Sequence, residues 1–384
     1  MLEKFNIHKE IQEVYIHRFL FVLALSAITV FLPIYVYDIT NSLVYTMLFF
    51  LIYNGIRIIT SLPIAKITSK IGYKRTALLS SPFTLLFYNL MRNIHGVSFQ
   101  LFFIAIVGGI GLNLYWVAMN SEISNSSHKE KRDHEMGVIY AIPIIATIIS
   151  PFIGGIISNN YGFNTLFLAV ILVISVSFIP FLFSFEHFDG MNYSIKKYFS
   201  REYLKDFITY SIQGVNFTGF FELWPLYFGL IITGTLNLGA MGSLRALGGA
   251  LASLFLGKFL KKQNRIKALK AGVAGFAVTW ILMSMITTPL IGFFVSFLNE
   301  MMMRTTEIPI FSGIIGIAEN DDRLEYFAFR EMAIATGRTF ILLFMTFMFY
   351  FFGKTTSFTV GFIFIALLTL LLVPLARKMN IGEL

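Results

Sequence analysis

Apolar runs of about 20 residues recur from one end of the chain to the other, and the polar positions between them come in short clusters instead of lining one face of each helix. A run of that length crosses a bilayer core of about 30 Å as an α-helix. The pattern predicts twelve spans, near 15 to 37, 43 to 65, 76 to 94, 97 to 119, 136 to 158, 162 to 184, 206 to 229, 236 to 257, 267 to 287, 290 to 313, 325 to 352 and 356 to 376. Connections on one side are very short, such as YDITNS (37–42) and SNNYGF (158–163), and those on the other side are longer and basic. The longest connection falls at the middle of the chain. The expected organisation is therefore an N-terminal extension (1–14), a six-helix bundle (15–184), a central loop (185–205), a second six-helix bundle (206–376) and a tail (377–384), an all-α integral membrane protein in two pseudo-symmetric halves.

Composition sharpens this picture. Residues are 56% hydrophobic and only 13% charged, against roughly a quarter charged in soluble domains, so no sizeable water-soluble domain is left over. The absence of cysteine excludes disulfides and thiolate metal sites, and no cofactor or metal is expected. The amino terminus mixes acids and bases ahead of a long apolar run and lacks a small-residue cleavage site, which reads as a cytosolic extension and not a cleaved signal peptide. Seventeen Lys and Arg residues between the spans, from Lys66 to Lys270, fall on the side of both termini, and only Arg92 and Lys354 fall on the other. Basic short loops resist translocation, so both termini are expected in the cytosol and the protein in the plasma membrane. The net charge of +9 then finds its counterpart in anionic inner-leaflet lipid. Nucleic acid is excluded as a partner, because the basic clusters are parcelled between helices instead of forming one surface.

The second and eighth spans are followed by similar short basic loops, PIAKITSKIGYKRTALL (63–79) and LGKFLKKQNRIKALK (256–270). Ala65 and Gly257 stand at corresponding places in them, separated by half of the 384 residues, which suggests a duplicated bundle with a pathway between the copies. On these features the chain resembles transporters of the major facilitator superfamily, whose loop after span two reads G-x-L-x-D-R-x-G-R-R. Ala65, Ile67, Ser69, Lys70, Gly72, Tyr73 and Lys74 occupy the matching positions, with Arg75 following and Ser69 in place of the family's acid. The stretch GVIYAIPIIATIISPFIGG (137–155) resembles the fifth-span signature of the superfamily's proton-coupled drug antiporters, with Gly137, Pro151, Gly154 and Gly155 matching and Ala146 and Ser150 as small replacements. The arginine those antiporters usually carry in span four is Ala105 here. Small residues let membrane helices approach closely, and Gly249, Ser253 and Gly257 recur every four residues in span eight. The resemblance implies that spans five and eight meet at a seam between the halves, with Gly154 and Gly155 against that stripe.

Ionisable residues inside spans are costly and face an interior. Arg57, Glu222, Arg245 and Arg338 stand out, together with Glu300, Arg304 and Glu307, whose spacing puts them on one face of span ten. Glu300, Arg304 and Glu307 read either as a self-neutralising ladder or as a substrate or coupling site. Arg330, Glu331 and Arg338 are expected to brace the cytosolic end of span eleven. Glu222 lies at a similar depth to Arg245 and is followed by helix-breaking Pro225, so the two read either as a fixed structural ion pair or as a coupling pair in which Glu222 carries a proton that Arg245 displaces by pairing in one state. Asn113, Tyr115 and Trp116 in span four, Gln213 and Asn216 in span seven and Asn299 in span ten are candidates to line a substrate cavity, and 43 Phe and 16 Met suit an amphipathic solute. The six histidines fall in loops or at span ends and no HExxH or GxSxG pattern occurs, which argues against an enzyme. The expected function is secondary active transport of a small organic solute by alternating access, as a proton-coupled efflux antiporter working as a monomer. An uncoupled or uptake facilitator, a lipid scramblase and a non-transporting receptor remain open on the same fold.

Overall fold

Helix boundaries follow local chain chemistry. The computed structural model describes residues 2–125, 132–183, 194–259, 264–286, 288–320 and 323–378. Helix α1 (Leu2–Thr29) continues after a short break at Val30 and Phe31 into α2 (Leu32–Thr40), with Pro33 in the first turn where its missing N–H costs nothing. Asn41, at φ 48°, ends α2 in the left-handed region, and the Ser42 side chain accepts from the Tyr45 N–H to start α3 (Leu43–Ile71). Gly72, at φ 96°, separates α3 from α4 (Tyr73–Asn93), a conformation that favours glycine and explains this position of the loop motif. Then come α5 (Phe99–Asn125) and α6 (Arg132–Ser177), followed by the single turn α7 (Ile179–Leu182).

Helix α6 is two helices joined at Gly162, at φ 80° and ψ 166°. Its first leg puts Gly154 against Ala27 and its second puts the Ser177 carbonyl on His17 Nδ1 at 2.8 Å. Ala27 and His17 are about 15 Å apart along α1, whereas a straight helix from 154 to 177 would span about 35 Å, so the legs must fold back on each other. The two legs correspond to the fifth and sixth expected spans. His17, expected at a span end, is instead wholly buried in α1.

The remaining helices are α8 (Leu204–Thr218), a π-turn at Gly219–Leu223, α9 (Trp224–Ile231), α10 (Thr235–Phe259), α11 (Arg265–Met283), α12 (Pro289–Asn320), α13 (Arg323–Phe351), α14 (Lys354–Leu370) and α15 (Leu372–Lys378). Among the described residues, eight helices are long and apolar enough to cross a membrane, the stretch Pro143–Leu182 counting as one although it bends at Gly162. The other expected spans are helical too. They are more polar or interrupted: α4 carries Lys74, Arg75 and Arg92, α8 and α9 are split by the π-turn, and α12 carries Glu300, Arg304 and Glu307. Residues 185–193 of the expected central loop and 379–384 of the expected tail, together with Lys129, Lys131, Lys261 and Lys262, lie outside the described residues.

Packing joins helices far apart in sequence. A methyl group added at Gly337 of α13 would run into the Ser211 carbonyl oxygen of α8, and one at Gly214 into the Ile334 carbonyl oxygen. These helices touch backbone to backbone, which lipid cannot enforce by hydrophobicity and small residues permit. Elsewhere the core is aromatic, with Tyr115 stacked on Phe21 at 3.8 Å between ring centres and Trp280 on Phe362 at 5.5 Å. A small cluster joins the α3–α4 loop to α5 and α13 through Ile64, Ala65, Tyr73, Leu114, Val117, Leu324 and Ala328.

Candidate functional site: a buried charge network between distant helices

The π-turn is the local event that builds the site. Pro225 has no N–H, so the helix cannot keep its regular ladder through this point. The Trp224 N–H reaches back five residues to the Gly219 carbonyl, giving one wide turn of the kind often found at functional positions. The widening releases the Phe220 carbonyl, which accepts from Arg245 Nη1 at 3.1 Å. Arg245 is further held under the Phe220 ring at 3.2 Å and beside the Trp224 ring at 4.2 Å, while Trp224 Nε1 donates to Ser296 at 2.8 Å. Buried Glu222 is carried on the same turn.

Glu222 pairs with Arg338, not with Arg245 as expected. Arg338 Nη2 lies 2.9 Å and 3.1 Å from the two carboxylate oxygens, and both side chains are buried. Arg245 pairs instead with Glu300 at 3.4 Å, and Glu300 also accepts from half-exposed Arg304 at 3.0 Å. Similar depth along two spans does not specify direction: the π-turn rotates Glu222 toward α13 and leaves the carbonyl of Phe220 facing Arg245. Glu307 accepts from Gln213 Nε2 at 2.8 Å and lies within electrostatic reach of Arg330 and Arg304, while the direct ion pair within α12 is between Arg304 and Glu300.

The residues expected to brace the cytosolic end of span eleven are central to the network. Arg57 of α3 donates from Nη2 to Glu331 at 2.9 Å and from Nη1 to Asn54 at 3.2 Å. Glu331 also accepts from Asn120 of α5 at 3.1 Å and from its neighbour Arg330 at 3.2 Å. Arg57 and Asn54 lie within electrostatic reach of Glu222, so both ion pairs belong to one cluster. Burying an ion pair is expensive, and further donors offset the cost where they complete the carboxylate, as Asn120 and Arg330 do for Glu331. No periodicity in the sequence announces that Arg57 and Glu331, 274 positions apart, are partners.

Several cavity candidates are occupied in joining helices. Asn113 Nδ2 binds Thr60, Ser61 and the Arg57 carbonyl at 2.9 to 3.1 Å. Asn216 donates to the Ile212 carbonyl at 3.1 Å and accepts from Thr369 at 2.7 Å, and Asn299 donates to Thr279 at 3.0 Å. Tyr115 is buried among aromatic rings, whereas Trp116 beside it is half-buried. Gln213 and Asn299 each retain a buried side-chain oxygen without a partner.

At the seam, α6 and α10 do meet, through the expected Pro151 and Gly155 on α6 but through other residues of α10 than those expected. A methyl group at Gly155 would strike the Thr235 carbonyl at 2.9 Å and the Gly239 Cα at 3.3 Å; one at Gly239 would run into the Pro151 carbonyl. Ser243 accepts from the Phe152 N–H at 3.0 Å. Gly154 faces Ala27 of α1, and Gly249 faces Glu300, so the stripe of Gly249, Ser253 and Gly257 is not the partner. Ser253 bonds its own helix at the Gly249 carbonyl. The surroundings of Gly137 and Gly257 lie outside the described residues. In the α3–α4 loop Ser69, which replaces the family's acid, donates to the Lys66 carbonyl at 2.9 Å; Lys74 is buried, and Lys70 and Arg75 are exposed.

Residues 14–194 match the family profile of the Major Facilitator Superfamily. The crystal structure of the human organic anion transporter MFSD10 (TETRAN) superposes with a TM-score of 0.68 over 96% of this chain and 99% of its own, at 12% identity, which shows the all-helical major facilitator fold. The uncharacterized protein YqgE of Bacillus subtilis (strain 168) is 22% identical over 254 residues, 62% of this chain, and this chain spans 59% of that relative's length. The profile covers 181 of the 384 residues, and the structural likeness shows the fold.

Proposed function

We propose that this chain is a secondary active transporter moving a small organic solute by alternating access, coupled to protons and directed outward. It would work as a monomer, with two six-helix bundles (15–184 and 206–376), a central loop (185–205) and both termini in the cytosol. The observation that carries this reading is the buried ion cluster of Arg57, Glu331, Glu222 and Arg338, in which α3 and α5 contact α13 through charge. Ionisable groups at membrane depth are retained where they serve a pathway or a relay. A seal made of ion pairs also has two states, because protonating a carboxylate removes the attraction that closes it. The similarity to an organic anion transporter of the same fold supports a small organic solute.

In this reading Glu222 is the proton-carrying acid. Its charged form is held by Arg338; its protonated form releases that arginine, which lies within electrostatic reach of the Arg57–Glu331 pair between the bundles. Arg245 takes a supporting role, holding the wide turn that presents Glu222. The test is purified protein in proteoliposomes, screened with labelled amphipathic solutes under an imposed pH gradient. The parent should accumulate solute, and Glu222→Gln should equilibrate it without accumulation. Accumulation by Glu222→Gln equal to the parent removes Glu222 from coupling and makes Glu300 and Glu307 the next carboxylates to substitute. Lipid flip without solute flux in the parent would replace transport by scrambling.

A further inference from the structure

The donors around Glu222 are incompletely used. A guanidinium can offer a carboxylate two parallel N–H groups from different nitrogens. Arg338 instead reaches both oxygens of Glu222 from the single nitrogen Nη2, and its Nε is buried without a partner. Arg57 spends Nη1 on Asn54 and Nη2 on Glu331, and its Nε is likewise unpartnered. In the cluster formed by Arg57, Glu222, Arg330, Glu331 and Arg338, the buried polar atoms that lack a partner are all donors, the Nε atoms of the three arginines. A cation would find no free acceptor among these side chains.

The cluster has an apolar wall as well. The Phe221 ring lies 5.5 Å from the Arg338 guanidinium carbon, and Phe217 stands 6.2 Å from Phe221 between ring centres; both rings are half-buried. Unspent cationic donors beside partly open aromatic rings match a ligand with an anionic head and an apolar body.

We propose that Arg338, with Arg57 beside it, binds the anionic head group of the transported solute, an organic monoanion whose apolar body lies against Phe221 and Phe217, and that Glu222 occupies the head-group position while solute is absent. The inference rests on the transport reading above and adds the substrate class. Solute and the Glu222 carboxylate then compete for Arg338, and neutralising Glu222 favours solute. The polar groups facing Glu222 are Tyr53, Asn54 and Arg57 from α3 and Arg338 from α13; against the neighbouring Gly219, α11 and α14 present Trp280 and Ile365.

The test is ligand binding to the purified full-length protein in detergent, read as thermal shift and tryptophan fluorescence, without a gradient. The probes are naphthalene-2-sulfonate, anionic throughout the pH range, the neutral naphthalene-2-carboxamide, and the cationic naphthylmethyl-trimethylammonium. Naphthalene-2-sulfonate should bind the parent, bind Glu222→Gln about tenfold more tightly, and fail to bind Arg338→Gln. Its affinity for the parent should rise as falling pH neutralises Glu222, and Glu222→Gln should lose that dependence. The proposal is overturned if the sulfonate binds neither parent nor Glu222→Gln, if Glu222→Gln binds it no more tightly, or if only the amide or the ammonium binds. Should Glu222→Gln not fold, the parent decides, since a flat pH series overturns the proposal. A parent that binds the sulfonate but carries no solute across vesicles refutes transport and leaves the site standing; one that carries only neutral or cationic solutes refutes the site and leaves transport standing.

Discussion

Glu331 takes three donors at once, from Arg57 of α3, Asn120 of α5 and Arg330 beside it. Removing one member of a buried pair leaves an uncompensated charge and costs about 3–5 kcal/mol, whereas replacing both by apolar side chains of similar size is often close to neutral. Arg57→Met and Glu331→Met should therefore each lower the melting temperature of the purified protein strongly. The double variant should lose far less than the sum, which a double-mutant cycle on thermal unfolding measures. Additive losses would mean that the pair at 2.9 Å contributes little to joining α3 and α13. The same logic gives the two glutamates different roles, since Glu331 is surrounded by donors while Glu222 shares an arginine whose donors are not all spent.

At the scale of the element, the α6–α10 contact is a backbone approach that only missing side chains allow. Gly155 and Gly239 lie on opposite sides of it, and Ser243 adds one hydrogen bond to the Phe152 N–H. Because the chain has no cysteine, introduced pairs carry no background. Pro151→Cys with Gly242→Cys should crosslink on oxidation, since a Cβ at 242 would lie 3.1 Å from that of Pro151, and Gly155→Cys with Gly249→Cys should not, since Gly249 packs on Glu300 of α12 instead. Efficient crosslinking of the second pair, scored by gel mobility after protease cleavage between the halves, would contradict this register. The neighbouring π-turn shows a second element-level effect. One proline shifts a single N–H to an i−5 acceptor, and that freed carbonyl is what Arg245 binds.

For the whole molecule, charge distribution makes an orientation testable. Short basic loops stay on the side of synthesis, so single cysteines at 66 to 75 and 264 to 270 should react with an impermeant maleimide only in inside-out vesicles. Cysteines at 38 to 42 and 158 to 163 should react only in intact cells. Labelling of Lys70→Cys from the exterior of intact cells would reverse the proposed orientation. Lys70 and Arg75 are exposed and suit the experiment, whereas Lys74 is buried and should label poorly from either side.

Length, apolarity and turn residues act locally, and what they control was readable along the chain. Membrane insertion, the helical class, the break at Gly162, the turn at Gly72 and the disturbance of the helix before Pro225 all follow from a few adjacent residues. The buried ionisable side chains could be picked out for a related reason: burying a charge is costly wherever it occurs, so each stands out singly against its apolar neighbours. Their partners were a different matter. Glu222 went to Arg338 and not Arg245, Glu331 to Arg57 and not to a helix end, and Gly155 to Gly239 and not Gly249. Each choice depends on the rotation of one helix about its axis relative to another. A single wide turn shifts that rotation by an amount that apolar length does not encode, so only the packed structure decides which charge meets which.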